Sequence, residues 1–169
     1  MRTLVIMRHA KAEASAPTDH ARVLTERGHA DAADTGRWLA ARGFTPDYAL
    51  VSAAARTSET WEDVATGGGW DLSVAEYDEG LYAASTDAAL DLVRDIDDGI
   101  DSLILIGHNP TISYLVQLLD DGDGDEEAGN EIALGGYPTA AAAVFEYDGD
   151  WADLEEGAAR LRAFHVGRG

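Results

Sequence analysis

The sequence predicts an α/β protein, a three-layer α/β/α sandwich with a mostly parallel central sheet, and three observations predict it. Residues 3–7, 47–51 and 102–106 (the last reading SLILI) are short apolar runs of strand length; continuous runs of this kind are how strands covered on both faces read. Stretches with helical periodicity and cap residues separate them. Strand, loop and helix then recur in that order, the alternation expected of parallel βαβ units.

Each element has a local reason. The first strand, 3–7, runs into Arg8. The spacing predicts a helix over 26–42, with Thr25 as N-cap and Gly43 as terminator. The second strand, 47–51, is followed by a helix over 53–66, a short strand near 72–76, and a helix over 87–98 that begins after Thr86 and stops at Gly99. The third apolar strand leads through Pro110 into a helix over 111–119, where Ile112, Leu115, Val116 and Leu119 form one apolar face. Two further strands are expected at 139–147 and 160–166. The acidic stretch DDGDGDEEAGNE, 120–131, is out of register for a calcium loop, since starting at Asp121 puts Glu126 where glycine is needed and Ile132 where a bidentate Glu is needed. It reads as a solvated surface loop. No internal repeat or linker divides the chain, and 169 residues suit one domain, 1–169.

Composition narrows the partners. Twelve basic against 32 acidic side chains give a formal charge of −20, which argues against nucleic acid and against an anionic membrane surface. Lys11 is the single lysine among eleven arginines, so the acidic skew reads first as a property of a salt-adapted or arginine-favouring host proteome. The absence of cysteine removes disulfides, thiolate metal sites and cysteine nucleophiles together. The N-terminal apolar run stops at Arg8, too short for a signal peptide or a membrane span, so the expected compartment is the cytoplasm. Trp38, Trp61 and Trp70 are expected to pack in or against the core.

The scarce basic groups are placed where a doubly wound sheet binds ligands, beyond the carboxyl ends of its strands. Arg8 and His9 follow the first strand, Arg56 lies in the first helical turn after the second, and His108, in GHNP, follows the third. Taken singly, an arginine pairs with a carboxylate and a histidine is structural. Together they imply an anion site. Arg56 at a helix N-terminus opposes the macrodipole and calls for a compensating anion. Phosphate suits it, because guanidinium forks and helix N–H groups both match phosphoryl oxygens. In a chain of charge −20, such a ligand needs a local positive well to approach.

The segments MRHAKAE, LTERG, VSAAARTSETW, EGLY and IGHNP resemble the histidine phosphatase superfamily, and within it the small SixA-type phosphohistidine phosphatases, over about residues 3–119. Ala10 departs from the glycine of many members, and no clear motif marks a general acid. The resemblance implies a phosphoglycerate mutase-like fold, a nucleophile His9 that becomes phosphorylated, phosphoryl binding by Arg8, Arg56 and His108, and no metal or other cofactor. Imidazole chemistry agrees: with an ordinary pKa near 6.5 the ring is substantially neutral at cellular pH, provided its second nitrogen is held as N–H by an acceptor, expected to be a backbone carbonyl of the same loop.

Glu79 is the candidate proton donor, with Asp78 as the alternative. Arg22 and Ser52 are candidate substrate-binding residues, Lys11 a candidate anion recruiter; His20, His29 and His165 have no comparable context. Only 51 residues separate Arg56 from His108, which leaves little chain for a lid. An open site suits a phosphorylated protein, such as a signalling or phosphotransfer protein, better than an enclosed metabolite. A broad phosphomonoesterase on small phosphorylated substrates, a noncatalytic phosphohistidine-binding module and a metal hydrolase built on His9, His108 and nearby acids stay open as alternatives. The expected state is a monomer with phosphate in its active site.

Overall fold

The structure, a computed structural model, describes residues 1–169. Its strands are β1 (Arg2–Arg8), β2 (Tyr48–Ser52), β3 (Ala75–Asp78), β4 (Ser102–Gly107), β5 (Ala141–Tyr147) and β6 (Arg160–Val166). Its helices are α1 (Glu26–Ala41), α2 (Ala55–Gly68), α3 (Thr86–Arg94), α4 (Thr111–Leu119) and α5 (Glu126–Gly135). The six strands form one sheet in the order β3-β2-β4-β1-β5-β6. β1, β4, β2 and β3 pair in parallel, while β5 runs antiparallel to both β1 and β6.

The apolar run of β1 feeds two cores at once. Leu4 and Ile6 face α3, α4 and Trp151, while Val5 and Met7 face α1 and α2, and all four are fully buried. A period of two combined with cover on both faces leaves no position for a polar residue, hence the uninterrupted run. The helices divide as the three-layer expectation requires. α1 and α2 contribute Leu39, Trp61 and Val64 on one side; α3, α4 and α5 contribute Leu90, Leu115 and Ala128 on the other. No helix is long and apolar enough to cross a membrane.

Local signals set most boundaries. The Thr25 hydroxyl caps α1 by accepting from the Gly28 amide at 2.9 Å, and Gly43 leaves the helix at φ +84°. Gly28 has a second reason to be glycine: a Cβ there would sit 2.1 Å from the Lys11 carbonyl oxygen, so α1 presses directly on the loop that follows β1. Trp61 is fully buried, and Trp38 and Trp70 pack at the edge of the same core.

Three expectations need correction. The helix expected over 87–98 is capped by Ser85 and ends at Arg94. The strand near 72–76 is displaced to 75–78, because Asp71 turns residues 72–74 into a 3₁₀ turn by accepting from the Ser73 amide. The stretch 120–131 is a loop only in its first half. Asp125 accepts from the Ala128 amide at 2.8 Å and starts α5, whose first turn carries Glu126 and Glu127 at the positive end of the helix dipole. Charge density concealed an N-cap followed by a favourable acidic first turn.

Candidate active site

β2, β4 and β1 are consecutive in the sheet and point the same way, so residues far apart in the chain emerge side by side at their carboxyl ends. Arg8 is in register with Gly107, and the His9 amide donates to the Gly107 carbonyl at 3.1 Å. That contact sets the His9 and His108 rings 5.4 Å apart, centre to centre. Arg56 reaches the same place from the first turn of α2. The loop is pinned further by Thr60, whose hydroxyl accepts from the Ala10 amide at 3.0 Å and donates to the Arg56 carbonyl at 2.6 Å. Ala10, fully buried in the α1/α2 core, accommodates its methyl group there.

His9 is oriented by its own loop. Its Nδ1 lies 2.7 Å from the Ala10 carbonyl oxygen, and because a carbonyl only accepts, Nδ1 carries the proton. The expected backbone acceptor is therefore present. Nε2 keeps its lone pair. Burial, followed by the positive charges of Arg56, Arg8 and Arg22, lowers the His9 pKa to about 4, against the opposing effect of the Ala10 bond. Burial, Arg56 and His9 likewise lower His108 to about 3. Both rings are neutral at physiological pH.

Three buried side-chain nitrogens have no hydrogen-bond partner within the protein: Arg8 Nε, Arg56 Nε and His108 Nδ1. Buried polar groups are normally paired, and these three belong to the residues gathered around His9. Each of these residues also has at least one nitrogen that is engaged. Arg8 donates from one terminal nitrogen to the Tyr137 carbonyl at 3.2 Å, which also accepts from Asn109 Nδ2 at 2.9 Å. His108 Nε2 lies 2.8 Å from Ser52 Oγ on the buried floor of the site. Arg56 donates from its two terminal nitrogens to the Asp19 carbonyl at 3.0 Å and carboxylate at 3.2 Å.

Asp19 is the hub of a clasp on the outer side of the site. Its carboxylate accepts from Arg56, from Arg22 Nε at 2.9 Å and from the Tyr82 hydroxyl at 2.5 Å. The Tyr82 and Arg22 bonds hold it well below the usual carboxylate range. Tyr82 also stands edge-on to His108 at 5.7 Å and lies 5.9 Å from the Arg56 guanidinium carbon. Arg22 is fixed by a further bond to the Glu13 carbonyl.

The remaining candidates divide. Ser52 lies in the site. Asp78 accepts from the Gly80 amide at 2.6 Å and caps the turn 79–81. Glu79 is largely exposed and pairs with His20 Nε2 at 3.1 Å; the His20 ring stands edge-on to Tyr82 at 4.8 Å. Lys11 is exposed and makes no ion pair. His29 and His165 pair with Asp63 and Asp34. No group of three or more His, Asp or Glu side chains is arranged to hold a metal ion. Asp19, His20 and the Tyr137 carbonyl were not legible as site components; the one local signal was the i, i+3 spacing of Asp19 and Arg22, and Tyr82 lies inside the EGLY segment.

A model of the histidine phosphatase superfamily (branch 1) matches residues 4–83. The uncharacterized protein Rv1276c of Mycobacterium tuberculosis is 36% identical over 163 residues, covering 96% of this chain and 100% of that protein. A structure solved under the name phosphohistidine phosphatase SixA, from Nakamurella multipartitia, superposes with a TM-score of 0.80 at 32% identity, over 98% of this chain and 96% of its own. The protein histidine phosphatase SixA complexed with tungstate shares the fold, with a TM-score of 0.77 at 23% identity, over 97% of this chain and 96% of its own. The chain belongs to the histidine phosphatase superfamily and is a phosphatase with the α/β fold of the SixA structures.

Proposed function

We propose that the chain, acting as one domain, is a phosphohistidine phosphatase working on a phosphorylated signalling or phosphotransfer protein through a phosphorylated His9. The observation that carries this reading is the set of buried, unpaired donors, Arg8 Nε, Arg56 Nε and His108 Nδ1, gathered around a neutral imidazole. A phosphoryl group presents three equatorial oxygens, and fixed donors that meet them stabilise the charge of transfer.

In the first step His9 Nε2 forms a bond to phosphorus as the bond to the substrate imidazole breaks. A substrate ring protonated at its other nitrogen departs as neutral imidazole, and the phosphorylated His9 ring retains its Nδ1–H on the Ala10 carbonyl. In the second step water adds to phosphorus as the P–Nε2 bond breaks. Neutral His9 and the dihydrogenphosphate anion result, so charge balances in both steps without a separate acid, base or metal. Arg22 orients the substrate at the rim, and the Asp19 clasp holds the two terminal nitrogens of Arg56 while its buried Nε stays unpaired.

One observation favours a second reading, a broad phosphomonoesterase: the His20–Glu79 pair is a proton source beside Tyr82, and an alkoxide leaving group needs one. The test is phosphate release from a panel of phosphohistidine proteins and phosphate esters, in the presence of a chelator, with His9→Ala as control. Faster turnover of phosphohistidine and none by His9→Ala is expected. Ester turnover at matching rates would select the second reading, and continued turnover by the variant would remove His9 from its role.

A further inference from the structure

We propose that Ser52 is a positioning residue that fixes His108 as its Nδ1–H tautomer, so that the ring offers the phosphoryl group a donor instead of a lone pair. The inference rests on the phosphatase reading above and assigns a new role within that site. Ser52 ends β2 and is fully buried. Its Oγ has two polar neighbours. The Ala54 amide donates to it at 3.4 Å, and His108 Nε2 lies at 2.8 Å. The amide uses one of the two lone pairs; the buried hydroxyl hydrogen itself needs an acceptor, and within hydrogen-bond distance the only one is His108 Nε2.

A neutral imidazole that accepts at Nε2 carries its proton at Nδ1. Neutrality follows from burial and from the Arg56 charge, which hold the His108 pKa at about 3. Nδ1 is the atom left buried and unpaired in the site. The opposite tautomer would strand the buried serine hydrogen and turn a lone pair toward an oxyanion. One buried hydroxyl thereby decides whether the site holds three unpaired donors or two. His9 is set by a different device, the Ala10 carbonyl that fixes its proton at Nδ1. The same ring position is a bystander in one histidine and the working donor in the other.

The experiment reads the ring directly. In ¹⁵N-labelled wild-type protein at neutral pH, with His108 assigned by comparison with His108→Ala, its Nδ1 is expected to be the protonated nitrogen; a protonated Nε2 would overturn the proposal. Ser52→Ala is expected to move the proton to Nε2, weaken inorganic phosphate binding and lower kcat/KM roughly 10- to 10²-fold, toward the range for loss of one oxyanion donor. In a His108→Ala background the same substitution should cost nothing more. An equal loss in both backgrounds would mean that Ser52 supports the strand and does not act through the ring. The ring spectrum needs no turnover, so a correct tautomer in a protein unable to release phosphate would overturn the phosphatase reading alone.

Discussion

β1 begins and ends with an arginine, and the two ends behave oppositely. At the amino end Arg2 is almost completely satisfied: Nε donates to the Gly149 carbonyl at 2.7 Å, one terminal nitrogen to the Asp98 and Ile100 carbonyls at 3.0 and 2.6 Å, and the other to the Asp150 carboxylate at 3.2 Å. Its guanidinium also lies over the Trp151 ring at 5.3 Å. At the carboxyl end Arg8 has one protein partner, the Tyr137 carbonyl, and a buried Nε with none. Arg56, next to it, shares that condition. In a chain with 32 acidic residues, carboxylates are plentiful. A buried guanidinium whose donors are all used ties loops together, whereas one with a donor left over supports the anion-binding role proposed above.

Substitutions can break or sharpen this contrast. The largest effect is expected for His9→Ala, in which turnover falls to background and an acid-labile phosphoenzyme no longer forms after mixing with radiolabelled substrate. Arg8→Ala or Arg56→Ala should lower kcat/KM by ~10²- to 10³-fold, with a melting temperature close to wild type. Arg2→Ala should do the reverse: leaving the Gly149 and Ile100 carbonyls unpaired costs about 1–3 kcal/mol of stability, seen as an earlier thermal transition, with kcat/KM per folded molecule unchanged. A loss of activity in Arg2→Ala without a loss of stability would erase the distinction between the two ends.

The pH dependence comes next in size. His9 has a folded pKa of about 4 against about 6.5 unfolded, so between those values the unfolded chain binds more protons and stability falls as pH falls. From His9 alone the loss between pH 7 and pH 5 is about 2 kcal/mol. Urea unfolding of wild type and His9→Ala at both pH values checks it, with a smaller pH effect expected in the variant. Activity should hold from pH 7 down to about 5 and decline as His9 gains its proton. The smallest effect is expected for Glu79→Gln, which should spare phosphohistidine hydrolysis and lower alkyl phosphate hydrolysis by less than ~10²-fold. Equal losses on both substrates would refute that split.

The legible parts of the site share one property: each is local to a strand end. Arg8, His9 and His108 stand out because an apolar run stops abruptly at them, and Arg56 because it sits against a helix dipole. Asp19, His20 and the Tyr137 carbonyl have no such marker. They lie in a loop before α1 and a segment before β5, and they matter only because folding lays both across the same sheet edge. Asp78 and Glu79 are adjacent carboxylates that the sequence leaves equivalent; the structure gives one to the Gly80 amide and the other to His20. α5 was concealed for a different reason, since acidity dominates residues 120–131 and Asp125 reveals itself as a cap only through the helix it starts.

The amino-acid sequence alone determined the layered architecture, the parallel core strands and the placement of Arg8, His9, Arg56 and His108 at or just beyond strand ends. Those are properties of periodicity and of short segments, which physical chemistry enforces locally. Tertiary structure alone decided which donors remain unpaired, which carboxylate engages which cation, and which ring nitrogen each histidine has free. Hydrogen-bond satisfaction is a sum over neighbours in space, and those neighbours are set by the order β2-β4-β1 in the sheet.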